Sequence, residues 1–435
     1  MLPIRRPAER TAGLLQRLVN VRPDEVAALA WAFLYFFSLL CSYYIVRPMR
    51  DEMGIAGGVD NLQWLFTGTF LAMLAMVPLF GWISSRFARR RFLPAVYWFF
   101  IVNLLLFYVL FQSGVTHAWV ARAFFIWTSV FNLFVVSVFW SFMTDIFSNA
   151  QARRLFGFIA AGGTAGAICG PLLTTLLALP LGPANLLPVS AGLLGIAVFC
   201  IHRLGAWHST AAVRQAAQPE NGAVIGGQVL AGVRLVLRSP YLLGICLLML
   251  LFTTLATFLY FQQAQIVRDS FTDPAQRTAV FAAMDLAVNI LTLLFQVLLT
   301  GRLVQWLGLG WTLALVPLLL AAGFLALGLS PVLAVLVVVQ VLRRAGNYAI
   351  MRPAREMLYV VLGREEKYKA KNFIDTVVYR GGDALSAWAY AGLAALGLGL
   401  SAIAFVAVPL ALLWAGIAYR LGQAQTRRFY IRENL

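Results

Sequence analysis

Charge is scarce in this chain. Charged residues fill 12% of its 435 positions, and the 17 acids are outnumbered by 34 lysines and arginines. Together with 61% hydrophobic residues and a mean hydropathy of +0.81, this excludes an ordinary soluble domain, in which about 25% of residues are charged. Cysteine is limited to Cys41, Cys169, Cys200 and Cys246, each isolated in an apolar run. Such spacing excludes a disulfide framework and a thiolate metal site. The three histidines, His117, His202 and His208, stand outside any metal-ligand spacing. The sequence lacks a phosphate-cradling P-loop, which removes ATP hydrolysis as a driving force, and pairs no nucleophile with a histidine. No enzyme, metal or cofactor is expected.

What the chain has instead is a succession of apolar runs. Twelve can be counted, at 25–47, 61–82, 92–112, 118–146, 155–179, 184–204, 240–266, 278–300, 311–329, 332–360, 372–396 and 399–420. Each is close to the roughly 20 residues that a helix needs to cross a bilayer, so an all-α membrane protein with twelve transmembrane helices is expected. The net charge of +17 then sorts by loop. Twenty-four of the 34 cations lie in one alternating set, among them Arg5, Arg6, Arg10, Arg17 and Arg22 before the first run, Arg86 and Arg89 to Arg91 after the second, Arg153 and Arg154 after the fourth, Arg234 and Arg238 in the middle, and Lys367, Lys369 and Lys371 after the tenth. The opposite set holds only Arg268 and Arg277. By the positive-inside rule both termini face the cytoplasm, and a bacterial inner membrane is the expected location. Residues 1–22 lead into a full-length span without a small-residue cleavage site, so no cleavable signal is expected. The expected partners are membrane lipids and a small anionic solute, not nucleic acid, and a monomer is expected.

Related motifs recur along the chain. Gly81 and Gly301 close apolar runs, Arg47 and Arg268 each follow Ile-Val, and Arg122 and Arg343 each fall within a run, all at spacings of 220 or 221. This predicts two six-helix bundles in parallel orientation, at 25–204 and 240–422. A polar cytoplasmic linker at 205–239, with Pro219, Asn221 and Gly222, joins them. Cytoplasmic ends are expected at 1–24 and 423–435.

Eight cations remain within the runs or at their ends, where an arginine at mid-span costs about 2.5–3.5 kcal/mol on insertion scales. Tyr44, Arg47, Arg50, Asp51 and Glu52 crowd the end of the first run around Pro48, a residue type that kinks or ends a helix. In the tenth run, Arg344, Tyr348, Arg352 and Arg355 fall at i, i+4, i+8 and i+11, one face of a regular helix, with Arg343 beside them. Guanidinium forks suit phosphate and carboxylate oxygens. Substrate binding is therefore open to Arg47, Arg50, Arg122, Arg343 and Arg344, with Tyr44, Tyr348 and Trp140 as stacking platforms for a base. Plain packing is the alternative for the aromatics, and outward snorkelling for Arg122. Ion-pair gating is the alternative for Arg47 and Arg50 and the expectation for Arg352 and Arg355. Its other members are Asp51, Glu52, Asp145, Arg153, Arg154, Glu356, Asp375 and Arg380, with Asp145 also placed to cap the next helix. Asp285 and Asp383 are candidates to carry a proton, as carboxylates in a membrane interior; salt-bridge partnership is the commoner fate.

The stretch from Gly81 to Leu93 resembles the loop signature between the second and third helices of the major facilitator superfamily. Ser85 stands where that family has an acid and Ala88 where it has a second glycine. Gly157, Gly166, Gly170 and Pro171 match the superfamily's antiporter spacing, although Thr174 and Thr175 replace its trailing glycines; close helix packing is the alternative use. More narrowly, Tyr44 to Asp51 is similar to the first-helix motif of the ATP/ADP carriers of plastids and intracellular bacteria. Val136 to Phe142, Asp145 and Ala152 to Gly157 are similar to their helix 4–5 region. These stretches cover about a fifth of the chain, and by this likeness Arg50 stands where the carriers have a basic residue important for transport. The acid that those carriers have within helix 4 is missing from 118–144. The resemblance implies a major facilitator bundle with a midplane site lined by the first, fourth, seventh and tenth helices. With the cation excess inside the runs, the expected function is secondary active transport of an anionic solute, such as a nucleotide or phosphorylated metabolite, by alternating access and exchange. The alternative is a proton-coupled exporter of amphipathic compounds.

Overall fold

Peptide groups in an apolar run have no water to bond, so the run must satisfy them internally, as a helix does. The computed structural model describes residues 21–86, 89–113, 118–214 and 235–433, and these contain no strand. The helices are α1 (Val26–Ala56), α2 (Leu62–Arg86), α3 (Arg89–Gln112), α4 (Ala118–Ile146), α5 (Asn149–Leu181), α6 (Leu186–Arg214), α7 (Pro240–Ser270), α8 (Pro274–Leu298) and α9 (Thr300–Leu329). Next, α10 (Leu333–Gly346) runs through a π-turn, Asn347–Met351, into α11 (Arg352–Leu358). A second π-turn, Ile374–Val378, joins α12 (Arg364–Phe373) to α13 (Tyr379–Ala395), and α14 (Leu400–Glu433) closes the chain. Ten helices among the described residues are long and apolar enough to cross a membrane. The helix α2 and the helical stretch 364–395, which are not among these ten, stand where the other two spans are expected, at 61–82 and 372–396. Arg5, Arg6, Arg10, Arg17, Ala88, His117 and the central linker 215–234, with Arg234, lie outside the described residues.

Local chemistry sets several boundaries. Ser148 accepts from Gln151 N while Gln151 Oε1 accepts from Ser148 N, a reciprocal cap that starts α5. The capping role open to Asp145 thus falls to Ser148, and Asp145 is exposed in the last turn of α4. Ser239 caps α7, whose first residue is Pro240, a position where the missing N–H costs nothing. In α9, Gly308 takes φ 73°, a left-handed value that bends the helix and that a side chain would resist.

Two expectations need adjusting. Of the kink or end open at Pro48, the end does not occur, since α1 continues to Ala56. A proline removes one intrahelical bond, and the residues beyond it can resume the ladder, so Arg50, Asp51 and Glu52 ride on helix faces. The internal spacing also differs. Helices begin at Val26, Leu62, Arg89, Ala118, Asn149 and Leu186 and again at Pro240, Pro274, Thr300, Leu333, Arg364 and Leu400, at spacings of 211 to 215. The motif pairs at 220 or 221 are out of step with these by about two helical turns. Arg122 lies near the start of α4, whereas Arg343 is far into α10.

The chain forms two compact units. The first comprises the described residues of Met1–Met53, Leu71–Asn221 and Pro274–Leu286; the second, those of Gly54–Phe70, Gly222–Asp273 and Ala287–Leu435. In the first, α5 lies backbone-close on α1. A Cβ on Gly162 would come within 2.5 Å of Phe33 O, one on Gly170 within 2.7 Å of Cys41 O, and one on Gly166 would press on Phe37 O. Residues 162, 166 and 170 face 33, 37 and 41, two rows of period four in close packing. Around them an aromatic core gathers Phe100, Phe124, Phe131 and Phe139, with the buried Tyr35 and Tyr97 hydroxyls bonded to each other at 2.6 Å. In the second unit α9 and α14 meet at glycines: a Cβ on Gly422 would come within 2.5 Å of Gly310 N. Thr254 on α7 bonds Ser386 on α13 at 2.9 Å.

Gly166→Ala is expected to lower the melting temperature in detergent, since overpacking at a tight contact costs about 1–3 kcal/mol. Gly157→Ala, with nothing within 4 Å of its Cβ, should leave it unchanged or raise it. Equal losses at both positions would dismiss close packing as the use of this spacing.

Candidate functional site

Charges in the first unit concentrate at two places. At the far end of α1, Glu52, 1% exposed, receives two bonds from Arg277 in the first turn of α8, at 2.7 and 2.8 Å. Arg47 Nη1 lies 3.6 Å from Asp285 Oδ1, one more contact between α1 and α8. Its guanidinium also lies 5.6 Å from the centroid of the Tyr44 ring. Arg50 bonds Asp51 at 3.3 Å and stacks its guanidinium 4.0 Å above the Phe125 ring. The structure thus sets three ion pairs along this part of α1, Arg47 with Asp285, Arg50 with Asp51 and Arg277 with Glu52, in which the acids are buried and the arginines half-buried.

At the other end of α1, Glu25 is buried and accepts from Arg154 at 2.9 and 3.2 Å, from Gln151 at 2.9 Å and from Arg22 N at 3.1 Å. Burial alone would push its carboxyl up, but bonds from Arg154, Gln151 and the Arg22 backbone outweigh it and hold the carboxyl below its ordinary range. Arg153 and Asp145 are exposed. Arg122 sits 4.8 Å from the centroid of the exposed Trp119 ring, and Trp140 is set among Phe36, Phe139 and Phe156.

In the second unit the π-turn after α10 decides which way the cations face. A π-turn inserts about one extra residue and so rotates the next stretch of helix by about 100° relative to an unbroken α-helix. The expected single-face stripe is therefore broken: Arg343 and Arg344 are 9% and 7% exposed, whereas Arg352 is exposed. Tyr348 is the second residue of the turn itself and half-buried. Arg343 Nε donates to Gln340 Oε1 at 3.0 Å, and Gln340 Nε2 donates to Gln263 Oε1 on α7. Arg355 pairs with Asp375 at 3.4 Å, Glu356 with Lys371, and Arg380 with Asp383 at 3.8 Å. No cluster of three or more metal-ligating side chains occurs among the described residues.

The profile of the Major Facilitator Superfamily matches residues 26–355. The chain belongs to this superfamily. It is a multi-pass membrane transporter, not an enzyme. Among solved structures, a mutant of the nucleoside transporter NupG superposes with a TM-score of 0.66 at 13% identity, covering 92% of this chain and 100% of that one. The POT family transporter PepTSo gives 0.62 at 14%, covering 92% and 98%. A bacterial homolog of the human lysosomal transporter Spinster gives 0.56 at 14%, covering 94% and 99%. Likeness at such identity concerns the fold. No curated protein matches.

For a superfamily transporter the residues missed in the sequence are telling. Arg277 reads as a loop cation, yet it is the partner of Glu52, 225 positions away. Lys371 reads the same way, and Glu25 carries no local mark of its role. The stretch Gln262-Gln263-Ala264-Gln265 offers a signal, since three carboxamides inside an apolar run need partners.

Arg277→Ala is expected to destabilise the protein by about 3 kcal/mol by leaving Glu52 buried and uncompensated; Glu52→Gln in the same background should restore part of the loss. Additive effects in a double-mutant cycle would show that the two are not coupled. A second test uses pH. Because the folded carboxyl of Glu25 lies below its unfolded value of about 4.3, its stabilisation is complete at neutral pH and lost as pH falls through the folded value. Acid melts of Glu25→Gln should therefore show a shallower fall in stability below about pH 4 than wild type.

Proposed function

We propose that this chain is a secondary active transporter for an anionic solute, a nucleotide or other phosphorylated metabolite, working by alternating access and exchange. The observation that carries this reading is the pair Arg343 and Arg344. Two adjacent guanidiniums more than nine-tenths buried, well inside the span Leu333–Leu358, cost about 2.5–3.5 kcal/mol each on insertion scales. That is a large outlay for packing alone and a natural one for gripping phosphate or carboxylate oxygens. On this reading Arg343 and Arg344 meet the solute. Arg47, Arg154, Arg355 and Arg380, bound to carboxylates, belong to ion-pair networks, as does Arg50 beside Asp51. The likeness of Tyr44 to Asp51 to the ATP/ADP carriers points the same way, and NupG is a nucleoside transporter on a similar fold.

The accompanying topology is a bacterial inner-membrane monomer with bundles at 25–204 and 240–422, a linker at 205–239 and cytoplasmic termini at 1–24 and 423–435. Proton coupling through Asp285 or Asp383 is subordinate, because each has an arginine within 4 Å.

The test is thermal stabilisation across nucleotides, sugar phosphates, dicarboxylates and lipophilic cations, followed by counterflow into vesicles preloaded with the best ligand. A ligand that binds the folded state raises the melting temperature. An anion-induced shift in wild type and Arg47→Ala that vanishes in Arg344→Ala is expected, with uptake accelerated by preloading. Stabilisation by lipophilic cations alone would defeat this reading in favour of the exporter.

A further inference from the structure

In the second unit the start of α7 and the end of α14 bring cations together without an acid between them. Arg428 on α14 lies 4.5 Å from the centroid of the Tyr241 ring on α7. Arg238 stands three residues before that tyrosine and Arg427 precedes Arg428; all three arginines are exposed. No acid occurs in residues 221–268, 286–355 or 384–432, so neither segment supplies a carboxylate. The acid of the neighbouring α11, Glu356, pairs with Lys371, and Asp375 in the second π-turn pairs with Arg355. The helix α12 holds four cations against two acids. Tyr241 OH donates to Leu358 O at 2.8 Å and Gln425 Nε2 to Met357 O at 3.4 Å. Both bonds fasten the cation-bearing ends to α11, so the charges sit on a fixed platform.

The depth of this platform follows from helix length. With 34 residues, α14 is about 50 Å long at 1.5 Å per residue, whereas the hydrocarbon core is about 30 Å thick. Arg420, Arg427 and Arg428 all lie beyond its first 20 residues, the number that suffices to cross. Beside them Leu237 and Phe429 are 65% and 40% exposed, apolar side chains that suit a bilayer surface better than water. The helix α9 runs antiparallel to α14, with Gly310 against Gly422 and Gly328 against Phe405, and so begins at the same end. Its first turns, before the bend at Gly308, expose Arg302 and Trp306. Aromatic rings beside cations are the composition of a membrane–water interface.

We propose that this face of the second unit is a docking surface for anionic phospholipid, with Arg238, Arg427 and Arg428 meeting headgroup phosphates and Leu237 and Phe429 entering the acyl boundary. This role is independent of the solute carried. Each basic residue near an anionic bilayer surface strengthens attachment roughly fivefold. A soluble phosphate would find the same charges but gain nothing from Leu237 and Phe429, which favours a lipid as the occupant.

The experiment melts the purified protein in detergent with added phosphatidylglycerol, phosphatidylcholine of the same acyl chains, or inorganic phosphate. Phosphatidylglycerol should raise the melting temperature at concentrations where the other two do not, and the shift should shrink in high salt. Arg427→Gln should raise the concentration needed for half of the effect about fivefold, and glutamine at all three positions more than tenfold. Lysine at all three should keep most of the shift, because the surface needs charge, whereas a role confined to packing Arg428 on Tyr241 would not respond to Arg427 at all. Arg268→Gln, an exposed arginine with its own acid in Asp269, should leave the shift unchanged, as should Arg344→Ala. Equal shifts with phosphatidylcholine would overturn the inference. So would a shift with inorganic phosphate matching that of the lipid, a lipid shift that survives the triple glutamine change, or one that vanishes in Arg344→Ala.

Discussion

An ionised side chain inside a membrane helix must be answered by another group, and the placement of charge in this protein obeys that constraint. The far end of α1 carries four charges in six residues, and the structure answers them within one unit. Arg277 grips Glu52 with two bonds, Asp285 lies beside Arg47, and Asp51 beside Arg50. Where α1 begins, Glu25 is answered three times over by Arg154, Gln151 and the Arg22 backbone. These pairs are weak evidence for stability in themselves, because desolvation offsets most of the attraction. Their force lies in the cost of breaking one partner away.

Departures from regular helix geometry decide where the remaining charges point. A proline that left α1 continuous keeps Arg50 to Glu52 on helix faces and in reach of α4 and α8. The π-turns at Asn347–Met351 and Ile374–Val378 fall beside the cations of the second unit. The first separates buried Arg343 and Arg344 from exposed Arg352 within nine residues. A strictly periodic helix could not place this sequence of arginines so. It would have put Arg344 and Arg352 on one face.

The architecture was legible because bilayer-spanning runs are long and carry their signal in composition: every apolar run corresponds to helix. The local cation cluster on α1 was legible too, being contiguous. What sequence could not reveal were partners across long separations, such as Glu52 and Arg277, since nothing local distinguishes a paired arginine from a loop arginine. The π-turns were hidden for another reason. Residues 347–351 have no compositional mark, and one inserted residue is enough to invalidate a face drawn at 3.6 residues per turn. The motif pairs at 220 or 221 pointed to the two-bundle repeat but not to its register, because single-residue matches are easily found among many apolar runs, whereas helix starts at spacings of 211 to 215 report the whole segments. The glycines of α5 carried two readings, and packing accounts for Gly166 and Gly170 against α1 but not for Gly157.

The two contacts between α1 and α8 constrain more than their own residues. Glu52 meets Arg277 and Arg47 meets Asp285, so the later residue on α1 meets the earlier one on α8, the order of an antiparallel pair. Sliding or rotating α8 by one residue swings its side chains by about 100° and removes both contacts together. The register of this part of α8 is therefore set by two charge pairs at once, with little freedom to compromise. Both acids are about 1% exposed, so a conformation that parts α8 from α1 must give each carboxylate a new cation or water. In the first case the cation has to come from elsewhere in the chain. In the second, water must reach the end of α1.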